Sequence, residues 1–237
     1  MKKVALIALI LLGFTTLGAQ NIQLHYDFGH NMYGDTFNTR SDVTATLEHL
    51  SFDQWGSTFY FVDLDITSQG VNQAYAEIMR EIKLGSQSPL SFHIEYNGGL
   101  FHSTEAGFGY QFNNCYLTGL TYGINSKDFS KGISFSLMYK YIEKLDQTHN
   151  AQFTTVWYYN FLNKACTFNG FADVWSEDSR NTKVKFISEP QLWVNLDKIK
   201  ALGIKAPISV GTELEISAGF YDSEIYCIPT LGMKWNF

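Results

Sequence analysis

Two short stretches of the chain place aromatic rings and carboxylates at every second position. Their members are Phe59, Phe61, Asp63 and Asp65 in the first stretch, and Phe171, Asp173 and Trp175 in the second. Residues two apart on a β-strand point to the same side. Aromatic faces stack on flat rings, and carboxylates accept hydrogen bonds from hydroxyl groups. The pattern is therefore suited to a small solute that has both a ring and hydroxyl groups.

The residues around both stretches follow the period of β-strands. Apolar and polar residues alternate between breaks at Gly, Asn, Asp and Pro, which is typical of strands with one apolar face. A single-chain bacterial barrel has an even number of strands. We predict about twelve strands, near 22–30, 42–52, 56–67, 73–84, 89–98, 112–124, 131–142, 149–162, 165–176, 183–196, 206–218 and 226–237.

The start of the chain has the layout of a secretory signal peptide. Lys2 and Lys3 precede an uncharged apolar run from Val4 to Leu12, and small residues follow as far as Ala19. This run is shorter than the roughly 20 residues that a membrane-spanning helix needs. We therefore expect residues 1–19 to be a signal peptide and residues 20–237 to form an outer-membrane β-barrel.

The last strand alternates apolar with small or polar residues up to the terminal aromatic. Leu231, Met233, Trp235 and Phe237 fall on one side. Bacterial outer-membrane barrels finish in this way, so we expect the cell outer membrane as the location. We also expect Phe237 to be recognised by the outer-membrane assembly machinery. The connections after even-numbered strands are mostly short, which places both termini in the periplasm.

Composition separates a barrel from a helical membrane protein. The hydrophobic content is 45% and the mean hydropathy is −0.12, and no second long apolar run follows residue 19. Helices and closed barrels are the structures that satisfy their backbone hydrogen bonds in lipid. The 14 Tyr, 19 Phe and 5 Trp fit the aromatic girdles of an outer-membrane barrel. A secreted soluble β-sandwich has the same alternation and is the alternative fold.

Charged residues indicate the inward face of each strand, because lipid does not accept them. The outward residues of strand 131–142 are then Ile133, Phe135, Leu137, Tyr139 and Tyr141. The solute path is predicted to be lined by Glu48, Phe59, Phe61, Asp63, Asp65, Glu77, Glu95, Phe171, Asp173, Trp175, Glu189, Gln191 and Glu213. Arg80 falls on the lipid face, which indicates a bulge, a snorkelling side chain or a register error of one residue.

Several other classes of function find no support in the sequence. The net charge is −6 and no basic stripe is present, so nucleic-acid binding is not expected. The sequence also contains no P-loop, dinucleotide fingerprint or metal-ligand cluster, so no cofactor and no metal are expected. Cys115, Cys166 and Cys227 allow one disulfide, but unpaired thiols are equally compatible with their spacing.

Four segments of the chain resemble the Tsx-like family of nucleoside-specific outer-membrane channels. The matching segments are 44–49 with 55–65, Phe168–Asp173, 186–192 with 210–213, and the closing Met233–Phe237. The chain departs from the family pattern at 76–80, where the proline is missing, and at 219–222, where the loop is shorter. The resemblance implies passive facilitated diffusion of nucleosides or similar small polar solutes, with the solute and membrane lipid as partners.

Other readings of the same residues remain open. The aromatic rings could fill the lumen while the carboxylates pair with Lys83, Lys140, Lys185 and Lys234. The barrel could serve as a structural or surface-interaction protein without transport. The glycine-rich segment 97–111 could instead fold inward as a constriction, which would favour a channel.

An enzyme is the third class of function. Outer-membrane phospholipase A is also a twelve-strand barrel and carries a His/Ser site on its strands. Here His49 and Ser51 share one face, and Ser91 and His93 repeat the pair in reverse order. The first pair lies beside the turn at 53–55 and no nearby Asn orients His49, so the sequence does not favour an enzyme.

Overall fold

A computed structural model of the protein describes residues 18–37, 40–103, 107–179 and 182–237. Within these ranges the chain forms a closed antiparallel barrel of 12 wall strands, as predicted. The strands are β1 (Gly18–Asp27), β2 (Val43–Phe52), β3 (Gly56–Thr67), β4 (Gly70–Lys83), β5 (Leu90–Ser103), β6 (Phe108–Gln111), β7 (Cys115–Asn125), β8 (Lys131–Ile142), β9 (His149–Phe161), β10 (Cys166–Ser176), β11 (Val184–Ser188), β12 (Gln191–Asn195), β13 (Ile208–Ala218) and β14 (Ile225–Asn236).

Two of these strands form one wall strand, and another lies outside the wall. β11 and β12 continue each other on either side of Glu189 and Pro190, because proline cannot donate to the ladder. β6 pairs with the upper part of β5 and forms a hairpin with it. The helix Gly29–Tyr33 and three short 3-10 segments, Gly34–Phe37, Leu196–Lys198 and Lys200–Leu202, complete the fold. None of the helices in the described part of the chain is long and apolar enough to cross a membrane.

The barrel closes by pairing its first and last strands. β1 and β14 are antiparallel from Asn21 opposite Asn236 to Asp27 opposite Thr230. Residues 1–17 of the predicted signal peptide lie outside the described residues, whereas Gly18 and Ala19 begin β1 opposite Ser51 and Leu50. Closure leaves no open sheet edge along these residues, which is the condition for a sheet in lipid.

Alternation sorts the side chains of each strand onto two faces. On β8, Leu137 is 66% exposed while its neighbours Ser136 and Lys140 are buried. The exposed side belongs to the outer surface and carries the predicted set from Ile133 to Tyr141. The terminal residues Leu231, Met233, Trp235 and Phe237 are likewise exposed. The polar side chains therefore meet inside the barrel.

Arg80 lies on the outer face of β4, as the register predicts, and snorkels toward the nearest turn. Its guanidinium donates to Asp53 at 2.8 Å and to Thr58 at 3.0 Å. The hydrogen bond from Arg80 lowers the pKa of Asp53 to about 2, so this carboxylate stays charged. The structure thus selects the snorkelling interpretation of Arg80 over a bulge or a register error.

The segment that follows β1 differs from the prediction. The predicted first strand runs to residue 30, but β1 ends at Asp27 and a helix begins at Gly29. β14 begins at Ile225, but its pairing with β1 reaches only Thr230, opposite Asp27. Residues 225–229 therefore need other partners on that edge. The backbone N–H of Phe28 donates to the carbonyl of Pro229 at 3.2 Å. The hydroxyl of Tyr33 donates to the carbonyl of Cys227 at 3.2 Å and accepts from its N–H at 3.1 Å. One tyrosine hydroxyl thus makes the two hydrogen bonds that a neighbouring strand would otherwise make to Cys227.

The segment 97–111 does not fold inward as a plug in its described part. It continues β5 to Ser103 and returns as β6, with Leu100 opposite Gln111. Residues 104–106 lie outside the described part of the chain. The three cysteines are free, so the sulfur atoms make no disulfide in this fold.

Replacement of Gly56 by Ala should destabilise the barrel, because a Cβ at this position would lie 1.8 Å from the carbonyl oxygen of Glu81. We expect a loss of about 2 kcal/mol or more in the free energy of unfolding, measured by urea titration of the refolded barrel with tryptophan fluorescence. The matched control is Gly123→Ala on β7, where a Cβ meets no atom within 4 Å. Equal stability of the two variants would contradict this packing.

Replacement of Tyr33 by Phe removes the hydroxyl that bonds both backbone groups of Cys227. We expect a loss of about 1 kcal/mol in the free energy of unfolding, because two exposed backbone groups exchange the hydroxyl for water. The same urea titration measures it. Tyr110→Phe is the control, since Tyr110 is 52% exposed on the hairpin. A Tyr33→Phe variant as stable as this control would show that the edge of β14 has another partner.

Candidate functional site

All of the predicted path residues lie on the lumen-facing side of their strands. Pairing in register demonstrates it: Phe61 lies between Glu48 and Glu77 on its two neighbouring strands. On the opposite wall, Gln191 is paired with Glu213. Paired residues share a face of the sheet, so the whole set faces inward.

The path residues form two half-buried walls within the lumen. The first wall, on β2 to β4, consists of Glu48, Phe59, Phe61, Asp63, Asp65 and Glu77. The second, on β10 to β13, consists of Phe171, Asp173, Glu189, Gln191 and Glu213. Glu95 and Trp175 are 6% and 7% exposed and are packed among their neighbours instead.

An aromatic ladder runs along the first wall and continues onto the hairpin. Consecutive ring centroids are 5.2–6.4 Å apart. In order from the turn at Gly56 to the hairpin, the ladder consists of Phe59, Phe61, Tyr75, Phe112, Tyr110, Phe101 and Phe108. The planes of consecutive rings are inclined by 33–70° to each other, so the ladder offers both ring faces and ring edges to a solute.

Of the seven rings in the ladder, the sequence predicted only Phe59 and Phe61 as path residues. Tyr75 shares the parity of Glu77 on β4, so the alternation contained the signal for it. Tyr110 lies in the segment 97–111, for which the sequence predicts no strand, and Phe112 begins the predicted strand 112–124 but lies between β6 and β7. Their position depends on the pairing of β6 with β5, where Tyr110 lies opposite Phe101.

Five of the path carboxyl groups accept hydrogen bonds from neutral groups, whereas Glu95 lies 2.9 Å from a nitrogen of His93. Asp65 accepts a second bond from Gln73 at 2.7 Å. The other bonds, at 2.5–2.8 Å, run from Asn21 to Glu48, Thr46 to Asp63, Thr44 to Asp65, Tyr75 to Glu77 and Gln191 to Glu213. Such donors orient a carboxylate without cancelling its charge.

The lumen cations are engaged elsewhere. The ammonium of Lys140 lies 4.3 Å from the ring centroid of Trp175, and that of Lys234 lies 4.0 Å from Trp193. Lys185 lies 3.6 Å from Glu177. Among the described residues, none of these lysines forms a salt bridge with a path carboxylate. The lysines act on the path carboxyl groups at longer range: Lys234 lies within electrostatic range of Glu48 and Glu213, and Lys140 within range of Glu77 and Asp173.

The carboxylates of the two walls are close enough to interact. Asp63 lies within electrostatic range of Glu48, Glu189 and Glu213. Like charges that converge in a confined space raise the local concentration of cations. The inner face between the two walls is thus rich in carboxyl groups and carries aromatic rings on one side.

Each histidine of the two Ser/His pairs contacts other side chains. His49 lies on the outer face of β2 and stacks on Tyr60, with ring centroids 5.0 Å apart. The nitrogens of His93 lie 2.6 Å from Glu81 and 2.9 Å from Glu95, and Ser91 donates to Glu81. Neither nitrogen of His93 is left to activate Ser91. Within the described residues, no group of three or more metal-binding side chains is present.

Comparison with solved structures supports the barrel and its location in the outer membrane. The NanC porin covers 92% of this chain and 100% of its own length, with a TM-score of 0.56 and 12% identity. The KdgM porin, solved in complex with disordered oligogalacturonate, covers 92% of this chain and 99% of its own, with a TM-score of 0.52 and 12% identity. LpxR from Salmonella typhimurium covers 92% of this chain and 100% of its own, with a TM-score of 0.50 and 9% identity.

At these identities the likeness concerns the fold. No curated protein matches the sequence. The resemblance to Tsx-like channels is therefore met at the level of an outer-membrane barrel, and nucleoside specificity is not part of that agreement. One family model matches residues 19–237, nearly the whole chain. The chain belongs to the family described as Domain of unknown function (DUF5020).

Proposed function

We propose that the protein is a passive outer-membrane channel for small polar solutes that carry a flat ring and hydroxyl groups, as nucleosides do. The observation that carries this proposal is the aromatic ladder beside carboxyl groups that, among the described residues, form no salt bridge with a lysine. A base stacks on aromatic rings with little dependence on its identity. Ribose hydroxyls donate to carboxylates such as Asp63 and Glu77.

The charge of the passage argues against an acidic cargo. The KdgM porin was solved with oligogalacturonate, whose uronate units are anions. In the present lumen, a polyanion would meet Asp63, Glu189 and Glu213, which form no salt bridge with a lysine in the described part of the chain. Neutral or cationic solutes do not meet this repulsion, so we assign the cargo to those classes.

We also propose that Phe237 marks the barrel for the outer-membrane assembly machinery. Its ring lies 5.3 Å from that of Trp235 and is 55% exposed, and its N–H donates to the carbonyl of Gln20 at 3.0 Å. The backbone is thus fixed by the seam of the barrel while the ring faces outward.

The direct test is the conductance of the refolded protein in a planar bilayer while nucleosides are added. We expect nucleosides to block the ion current in a saturable way, and sugars of similar size to leave it unchanged. A current that nucleosides and sugars affect equally would contradict the proposal.

Replacement of Phe61 by Leu should weaken nucleoside block by about tenfold, because one stacking face is lost from the ladder. The block constant in the planar bilayer measures it. Phe153→Leu is the matched control, since Phe153 faces lipid on β9 and is 41% exposed. Equal weakening in both variants would point to a change in the barrel rather than in the path.

Replacement of Asp63 and Asp65 by Asn should reduce the preference of the channel for cations. The reversal potential in a KCl gradient near 0.1 M measures it, since the Debye length there is about 10 Å. The control is Asp128→Asn in the turn between β7 and β8. Hydrogen bonds from Ser126 and Ser130 lower the pKa of Asp128 to about 2, so this change also removes one full charge at neutral pH.

An unchanged reversal potential in the Asp63 and Asp65 variant would show that these side chains lie outside the ion path. A shift of the same size in the Asp128→Asn control would show that surface charge, not lumen charge, governs the preference for cations.

A further inference from the structure

The mouth is the end of the barrel at which β1 stops, at Asp27. One part of this opening is filled by the segment Gly29–Phe37, which follows β1. Phe37 is 4% exposed and packs on Tyr226 and Ile228, which are lumen-facing residues of β14. The ring centroids of Phe37 and Tyr226 are 4.9 Å apart and nearly perpendicular. At the end of an open barrel these positions would meet water, yet Ile228 is 0% exposed. The segment therefore closes the sector formed by β13, β14 and β1.

Arg40 anchors this segment to the barrel wall. Its guanidinium lies 2.7 Å from Asp27 on β1 and 2.8 Å from Glu215 on β13. It also donates to the hydroxyl of Tyr221 in the last loop, and it lies over the ring of Phe37 at 5.8 Å from the centroid. One side chain thus connects two wall strands, a second loop and the ring that fills the mouth.

The charge of Arg40 is matched by these partners. Burial alone would lower the pKa of Arg40, but Tyr221, Glu215 and Asp27 outweigh it and raise the pKa above its ordinary value. A buried guanidinium held by two carboxylates is costly to separate from them, because each charge would remain uncompensated. The anchor is therefore a fixed contact at neutral pH rather than a mobile surface pair.

The upper end of the first wall lies beside Arg40. Asp65 and Gln73 at the upper end of the first wall are half-buried, and Asp65 lies within electrostatic range of Arg40. The aromatic ladder rises beside them from Tyr75 to Phe112. A solute that enters through this part meets the ladder at once.

We propose that Arg40 is a specificity-determining residue of the channel: it fixes the segment Gly29–Phe37 in the mouth, so that solutes are restricted to the strip beside the aromatic ladder. This inference rests on the proposed channel function and adds its size limit. Compact solutes with a flat ring fit between Arg40 and the ladder, whereas bulky or branched solutes are excluded by Phe37 and its partners.

The test is a size series in liposomes and planar bilayers. For Arg40→Gln we expect the single-channel conductance to rise about twofold or more, and sucrose and raffinose to enter at rates close to that of arabinose, because the constriction is released. The unmodified protein should exclude raffinose. The control is Lys205→Gln, which removes an exposed charge from the loop before β13.

A second variant and a second readout guard against a folding defect. Glu215→Gln removes one partner of Arg40 from the wall and should give the same increase in conductance. Chymotrypsin should cleave after Phe37 faster in both variants than in the unmodified protein, as measured by mass spectrometry of the fragments.

The outcomes separate this inference from the proposed function. Equal conductance, equal sugar entry and equal cleavage at Phe37 in all variants would overturn the role of Arg40, whether or not nucleosides block the current. An unmodified protein that is silent while Arg40→Gln conducts would support the constriction. If nucleosides block the current no more than sugars do, while the conductance of Arg40→Gln is larger, the nucleoside proposal is overturned. The constriction at Arg40 is then still supported.

Discussion

The requirement that every backbone N–H and C=O in lipid has a partner governs this molecule. A sheet meets it only by closing on itself, which here means that β1 pairs with β14. Closure fixes the alternation of faces around the whole ring, so each strand presents apolar residues outward and polar residues inward. The charged and aromatic lining of the lumen is a consequence of that alternation, and Arg80, the outward exception on β4, is tolerated because it reaches Asp53.

The same requirement explains the structure of the mouth. β1 stops at Asp27 while β14 continues upward, and the unpaired edge is capped by Phe28 and by the hydroxyl of Tyr33. Once Tyr33 is bound to the edge, the chain that follows it has to cross the mouth. Phe37 therefore packs on Tyr226 inside the barrel, and Arg40 forms salt bridges with carboxylates of the wall. A short first strand and a narrowed entrance are thus two results of one cause.

The alternation of side chains with a period of two predicted most of the fold and, of the aromatic ladder, Phe59 and Phe61. It placed Phe61, Asp63 and Phe171 inside, because inward position depends on local alternation alone. It did not find Tyr33 or Arg40, since their roles depend on partners far away in sequence, such as Cys227 and Glu215. The upper ladder was missed for a similar reason, because the glycine-rich segment that forms the hairpin of β5 and β6 resembles a loop.

Two features of the lumen act together in the proposed binding of a solute. The lysines lie against aromatic rings or beside partners outside the path, and most path carboxyl groups are held by neutral donors beside the aromatic ladder. The most direct measurement is a crystal structure of the protein soaked with 5-bromouridine, with the anomalous signal of bromine as the marker. We expect a bromine peak between the walls, with the base stacked on the ladder near Phe61 or Tyr75. A protein that binds the nucleoside at no lumen position, or only on the outer face, would contradict it.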